Sequence, residues 1–366
     1  MSNTATVLAF DFGASSGRAI RAVYDGQNLT YEEIHRFENV PIEKGGHLFW
    51  DVETLLKEIH TAIQKAGTFD SLGFDTWGVD FGLLDADGHL LANPVHYRDA
   101  RTNGKPEQAA ARMPAEELYA HTGNQIMAIN TLFQLLALRE QEPELLQKAE
   151  QVFFMPDLFA ALLGAEPVCE RSIASTSQML DPRTGQWSRE VLAAYSLPEN
   201  RFAPLVASGT VTGTLANGAK IIAVAGHDTQ CASAAMPCAE EDAEHTAFLS
   251  CGTWSLLGTE LDAPILTADS CQSGLSNELG ANGKINYLKN IIGLWLIQES
   301  RREYKRRGQA YSFAELEQQA LAAEPLRSFI DPDAPEFVAP GDLPGRIQEF
   351  CRKTGQPVPE TVGAVM

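Results

Sequence analysis

The stretch FDFGASSGRAI, Phe10–Ile20, runs an apolar strand into an acidic residue, passes through Gly, Ala and Ser, and turns apolar again. Such a turn packs nothing, so its composition asks for another reason. Small residues let backbone N–H groups approach an anion closely, and serine hydroxyls add donors. Asp11 at the strand end suits a phosphate neighbour only when a divalent cation lies between them, since carboxylate and phosphate oxygens both suit Mg²⁺. The plainer reading is a tight hairpin closed by Ser15 and Ser16, with Asp11 on the surface. Spacing alone admits both.

Working outward, Thr6–Asp11 reads as a buried strand, Arg18–Tyr24 as a second and Leu29–Phe37 as a third, with Asp25, Gly26, Gln27 and Asn28 turning the last two into a hairpin. The fold therefore opens antiparallel. Asp51 then caps a helix whose Val52, Leu55, Leu56, Ile59 and Ile63 form one apolar stripe, stopped by Gly67. LGFDTWGVDFGLLDADGHLL supplies two strands in succession, the second turning at Asp87 and Gly88. Helical patterns cover Lys105–Tyr119 and Asn130–Ala149, and Lys220–Asp228 is a further buried strand. Alternating strands and helices predict an α/β fold.

The charged run EEDAEH precedes a new strand, TAFLSCGTWSLLGTE, and predicts a domain boundary near residue 240, giving domains 1–240 and 241–366. The new strand repeats the opening device: an apolar run, Ser250-Cys251-Gly252, a small hydroxyl residue, then apolar residues again. The segment from Asp331 to Met366 is rich in Pro and Gly and shows no evident closing element.

Composition narrows the function. The 366 residues carry a formal net charge of -20, and their 28 Lys and Arg are scattered, which disfavours a nucleic-acid partner. No apolar run reaches the ~20 residues needed to span a bilayer, and the first residues lack a signal-peptide pattern. The expectation is a soluble cytoplasmic protein without a membrane partner. The six cysteines form no C-x-x-C pair and no zinc pattern, and read as reduced core thiols.

Four more stretches carry polar residues at element ends. In AGHDTQCASA, Asp228 directly follows a strand and precedes a helical start, where open α/β sheets bind ligands. There it suits a base taking a proton from a hydroxyl, or an ordinary helix cap. His227 suits a substrate contact or a packed, hydrogen-bonded imidazole. In DTWGVDFG, Trp77 beside glycines offers a sugar an apolar face and backbone donors, or is core. In LKNIIGLWLIQES, Asn290 caps a helix carrying Ile291, Leu294, Trp295 and Gln298. In YRDARTNG, Arg98 and Asp99 pair in a surface loop.

Together, DFGASSGR, DTWGVDFGLLD, YRDARTNG, MPDLFAALL, GHDT, CGTWSLLG and LKNIIGLWLIQE occur in the order and approximate spacing of the FGGY carbohydrate kinases, which the chain resembles along essentially its whole length. These belong with actin, hexokinase and the Hsp70 ATPase. The resemblance implies two ribonuclease-H-like (actin-like ATPase) domains around a cleft. The second is expected to be incomplete, because family members continue past Met366 through a Gly-rich, adenosine-contacting turn. It implies ATP and Mg²⁺, and transfer of the γ-phosphoryl group to the 1-hydroxyl of a ketose: L-rhamnulose first, with L-fuculose or xylulose as alternatives. A catalytically silent sugar-binding protein is the alternative from another class. By position, Ala14, Ser15, Ser16, Gly17 and Arg18 match the first phosphate loop, and Asp11 the acidic residue near Mg²⁺. Asp228 matches the catalytic base. Gly78, His227, Thr229 and Asn290 match sugar contacts, Thr253 the second phosphate loop, and Gln298 a nucleotide contact. Ser250–Ser255 is expected to face the first loop across the cleft. A monomer is compatible with all of this.

Overall fold

In the computed structural model, which describes residues 4–239, 242 and 245–366, the chain divides into two compact units. The first comprises residues 1–248 and 258–289, the second residues 249–257 and 290–366. The boundary expected near residue 240 lies in a run largely outside the described residues. No helix among the described residues is long and apolar enough to cross a membrane.

The first unit is built on strands β1 (Ala5–Phe12), β2 (Ser16–Tyr24), β3 (Leu29–Glu38), β4 (Ser71–Thr76), β5 (Thr210–Thr214) and β6 (Lys220–Ala223), ordered β5-β6-β4-β1-β2-β3. The expected antiparallel start is present, while β1, β4 and β6 run parallel to one another. β1 buries only one face: Leu8, Phe10 and Phe12 are fully enclosed, whereas Ala9 is exposed. Phe10 stacks on Phe74 at 4.8 Å, and Phe12 meets Phe159 at 5.0 Å. Helix α1 (Val52–Ala66) has Asp51 accepting from the Thr54 N–H and ends at Gly67, whose φ of 66° only glycine takes up freely. Its buried residues, Val52, Leu55, Ile59, Ala62 and Ala66, follow the helical period.

Two expected helices are each broken in two. Lys105–Ala109 and Ala115–Thr122 flank Pro114, and Thr131–Gln141 and Pro143–Lys148 are divided at Pro143. Proline has no N–H and clashes with the preceding turn, which apolar periodicity does not register. The strand expected over Lys220–Asp228 stops at Ala223. YRDARTNG is not a surface loop: Asp99 is buried, accepting from Leu48 N and Arg101 N at 2.9 Å and facing His47 Nδ1 at 3.0 Å.

Strands β7 (Phe248–Cys251), β8 (Trp254–Leu261), β9 (Ser276–Leu279) and β10 (Ile285–Ile292) form a four-stranded sheet ordered β7-β8-β10-β9. TAFLSCGTWSLLGTE is thus two strands and a turn. Asn290 lies within β10 and caps no helix; the following helix begins only at Trp295, after Gly293. The second unit has its own core, with Phe337, Leu343 and Ile347 against Leu296, Ile330 and Phe350. The Pro- and Gly-rich C-terminal stretch does contain closing elements, the helices Leu343–Lys353 and Val362–Val365. Proline at the start of the first helix and Asp342 capping it make that possible. All six cysteines are free, but only Cys169 and Cys351 are buried, while Cys238 and Cys251 are exposed; the expectation of core thiols holds for two.

Candidate functional site

Parallel strands placed side by side bring their carboxyl ends together, and here those ends are acidic. In register, Asp11 of β1 faces Asp75 of β4, and also Arg18 of β2. Beyond β6 the chain continues alongside β4, the Thr76 N–H donating to Gly226 O at 2.9 Å, and this delivers His227 and Asp228 to the same end. Asp228 opens a helix, Asp228–Ala234, and its Oδ1 accepts from Thr229 N at 2.6 Å and from Thr229 Oγ1 at 3.3 Å. Three aspartates from adjacent strand ends therefore influence one another.

The electrostatics follow from that crowding. Withdrawal from water raises Asp75 well above the usual carboxylate range, and the charges of Asp11 and Asp228 push it further, against Arg18 and His227. Asp228, whose side chain remains 39% accessible, is likewise raised by loss of hydration, with His227 pulling it back. Arg18 meets Asp11 Oδ2 through Nε at 2.8 Å and through NH2 at 2.5 Å. Carboxylate oxygens are the hard donors a Mg²⁺ ion takes, and Asp11 at the end of β1 fits that ion; among the described residues the three aspartates do not all bring their donor atoms within 4.8 Å of one another.

The turn beside Asp11 has its carbonyls occupied. Asn39 donates to Gly13 O through Nδ2 at 3.0 Å and to Ser15 O through its backbone N–H at 3.1 Å, and Gly13 N closes the turn on Ser16 O at 2.9 Å. Among the described residues, the N–H groups of Ala14 and Ser15 and both serine hydroxyls donate to no protein acceptor. Gly17 is required by space: a Cβ there would lie 2.2 Å from the Phe37 ring and 2.7 Å from that of Phe12. The turn thus presents donors backed by packed aromatics, a cradle fitting an anion.

Gly78 and His227 are neighbours, for a Cβ on Gly78 would lie 3.4 Å from His227 Nε2 and 3.2 Å from Thr176 Cγ2. The next residue, Val79, has a φ of 66°, a costly conformation for a β-branched residue. It is held by hydrogen bonds: Val79 N donates to Thr176 Oγ1, and Val79 O accepts from Thr131 Oγ1 at 2.6 Å. Buried Asp80 anchors the same segment, accepting from Trp50 Nε1, Trp77 Nε1, Tyr97 N and Gln134 Nε2. Burial lifts it to about 6 despite those four donors.

Two further acids frame GHD. Glu170 caps a short helix through Ser172 N and Ile173 N, and the same oxygen accepts from Gly226 N at 3.1 Å. Glu278 of β9 faces His227 Nδ1 at 2.9 Å, while His227 Nε2 lies 3.4 Å from Asp228 Oδ1. Neither Asp80, Glu170 nor Glu278 is conspicuous in the sequence. Asp80 alone stands between apolar neighbours, Val79 and Phe81, whereas Glu170 and Glu278 sit beside other polar residues.

The second unit holds the other predicted residues. Gly252 N closes its turn on Trp254 O at 2.9 Å. Gly293 N and Trp295 N donate to Thr253 O at 3.2 Å, and Leu294 N to Gly252 O at 3.0 Å. Thr253 Oγ1 reaches Gln298 Oε1 at 3.4 Å, so these two sequence candidates are neighbours. The structure therefore gathers Asp11, Ala14–Arg18, Gly78 and His227–Thr229 in one unit, and Thr253, Asn290 and Gln298 in the other.

Sequence comparison matches residues 6–234 to the N-terminal domain of the FGGY family of carbohydrate kinases, and residues 247–366 to its C-terminal domain. The rhamnulokinase of Bacteroides thetaiotaomicron is 42% identical, the alignment covering 98% of this chain and 75% of that one. The rhamnulokinase of Ligilactobacillus salivarius is 38% identical with the same coverage, 98% and 75%. The chain thus spans about three quarters of the length of these curated relatives. Among solved structures, a gluconate kinase from Lactobacillus acidophilus superposes with a TM-score of 0.70 at 17% identity, over 88% of this chain and 66% of that one. A ligand-bound xylulose kinase from the same species gives 0.69 at 16% identity, over 87% and 66%. At such identities the likeness speaks to the fold, and the α/β class read from the sequence is the one found.

Proposed function

The chain belongs to the FGGY family of carbohydrate kinases, and from that premise we propose that it transfers the γ-phosphoryl group of ATP to the 1-hydroxyl of L-rhamnulose, yielding L-rhamnulose 1-phosphate and ADP in the cytoplasm. The observation that carries the reading is the meeting of Asp11, Asp75 and Asp228 at adjacent strand ends beside a turn with unengaged donors. Phosphoryl transfer needs positioned donors, charge neutralisation and one base rather than covalent participation by the protein.

Asp228 is the base. It takes the proton of the sugar hydroxyl as that oxygen bonds to the γ-phosphorus and the bond to the ADP oxygen breaks. Its Thr229 hydrogen bonds hold the carboxylate at the helix start. Ala14, Ser15, Ser16, Gly17 and Arg18 cradle nucleotide phosphates, and Asp11 is the carboxylate for Mg²⁺, which when bound neutralises charge on the transferring group. Gly78, His227 and Thr229 serve the sugar. Thr253 and Gln298 are assigned to the nucleotide and Asn290 to the sugar by their match to family positions. Domains 1–240 and 241–366 remain the proposed functional division.

A coupled ADP-release assay tests this. L-Rhamnulose should elicit ADP release, and Asp228→Asn should lower kcat by roughly 10²–10⁴-fold with sugar affinity by calorimetry nearly unchanged. ADP release insensitive to that substitution removes Asp228 from its role. Equal turnover of L-rhamnulose, L-fuculose and xylulose overturns the assignment of substrate, and sugar binding without nucleotide binding overturns the kinase.

A further inference from the structure

Strand β9, Ser276–Leu279, is buried at every residue, yet it carries a glutamate. A carboxylate withdrawn from water is costly unless partnered, and Glu278 has partners from outside its own strand. Its Oε2 accepts from Gln230 Nε2 at 2.8 Å and faces His227 Nδ1 at 2.9 Å. Gln230 is itself held, its Oε1 accepting from Asn286 Nδ2, which also donates to Ser233 Oγ at 2.9 Å. The relay Asn286–Gln230–Glu278–His227 runs from β10 through the helix that Asp228 opens, and it ends at the proposed base.

The geometry leaves His227 one role for each nitrogen. Nδ1 donates to Glu278, so Nε2 is the edge turned toward Asp228 Oδ1, 3.4 Å away, on the side that Gly78 keeps clear. We infer that Glu278 is a positioning residue for phosphoryl transfer: by engaging His227 Nδ1 it fixes the ring so that Nε2 lies 3.4 Å from the base Asp228 and beside the sugar oxygen. The inference rests on the reading of Asp228 as base.

The charges that face the ring agree with this geometry. Burial alone pulls His227 down, but Glu278 from β9, through its charge and its hydrogen bond, then Asp228 beside it and Asp75 from β4, outweigh burial and lift the ring to about 9. At Asp228 the balance is reversed: loss of hydration raises it, and the neighbouring imidazolium is the largest influence lowering it. Without Glu278 the ring becomes neutral near pH 7, and Asp228 protonates at higher pH. In the transfer step His227 keeps its proton; the sugar hydroxyl's proton goes to Asp228, the new bond forms to phosphorus, and the electron pair of the broken bond leaves with ADP.

The test is Glu278→Gln, which keeps an acceptor for Gln230 and removes only the charge, with Glu278→Asp as the charge-retaining companion. Imidazole ¹⁵N NMR of the full chain should show His227 protonated up to about pH 9, and its midpoint should fall by at least about 2 units in the Gln variant. In the pH profile of kcat/KM for the sugar, the acid limb marks protonation of Asp228 and should move to higher pH by about 0.5–1 unit. The alkaline limb, marking loss of the imidazolium, should move lower by more than the acid limb moves up, so that activity falls more at pH 8 than at pH 6. Glu278→Asp should restore most of the width. A wild-type His227 neutral at pH 7 overturns the inference, as does a Gln variant slowed equally at every pH. Should Glu278→Gln fail to fold, the wild-type titration and the Asp variant still decide. If no sugar elicits ADP release, the kinase reading fails on its own, whereas the NMR titration still judges whether Glu278 governs His227.

Discussion

The turn after Asp11 and the turn after Cys251 use one backbone device in two settings. Each closes with a glycine N–H on a carbonyl of the returning strand at 2.9 Å, Gly13 on Ser16 and Gly252 on Trp254. In each, the turn carbonyls are taken by donors from elsewhere: Asn39 in the first, the N–H groups of Gly293, Leu294 and Trp295 in the second. Around them the turns diverge. The first is flanked by Asp11, paired with Arg18 and in register with Asp75. The second follows an exposed Cys251 and has an uncharged neighbour in Gln298. In the proposed function the shared device serves an anion, and the added carboxylates serve a cation and a proton. One motif repeated in a chain thus need not repeat its chemistry.

Substitutions in the two turns sharpen that contrast. The largest effect is expected at the carboxylate: Asp11→Asn should lower kcat/KM by roughly 10²-fold and raise the Mg²⁺ concentration needed for half-maximal rate, as read by metal titration of ADP release. Thr253→Val, which removes only a hydroxyl, should raise KM for ATP by about 10-fold at most with kcat largely retained. Equal losses from the two would erase the distinction between acidic and neutral turns.

Stability separates the turns by a smaller margin. Gly17→Ala should cost roughly 1–3 kcal/mol, because its methyl would overlap the Phe37 and Phe12 rings. Gly252→Ala should cost less than about 0.5 kcal/mol, since its methyl would meet only Trp254 O, at 3.4 Å. Thermal melts of the full-length variants give both values, and a Gly252 effect as large as that of Gly17 would show that the second turn is the more tightly packed.

The sequence spoke most clearly where local chemistry is decisive. Periodicity located α1 with its cap and its stop, because Asp51 and Gly67 act within one turn of themselves. The opening antiparallel strands were readable for the same reason, as were the small residues of both turns. It misled where a single residue overrides a pattern: Pro114 and Pro143 divide helices whose apolar spacing continues across them, and Asn290 looks like a cap although it sits in a strand. The Pro- and Gly-rich C-terminal stretch likewise closes into helices once Phe337 and Leu343 find a common core.

By itself the sequence determined the α/β alternation, the identity of the glycine turns, and the places of Asp11 at a strand end and Asp228 at a helix start, since each depends on neighbours a few positions away. Only the tertiary structure decided that Asp75 joins those two, that Val79 is held at positive φ and that Glu278 reaches His227. Those relations link residues as many as 153 positions apart. They arise from parallel pairing and burial, whose energies depend on which segments meet, and no local pattern encodes that.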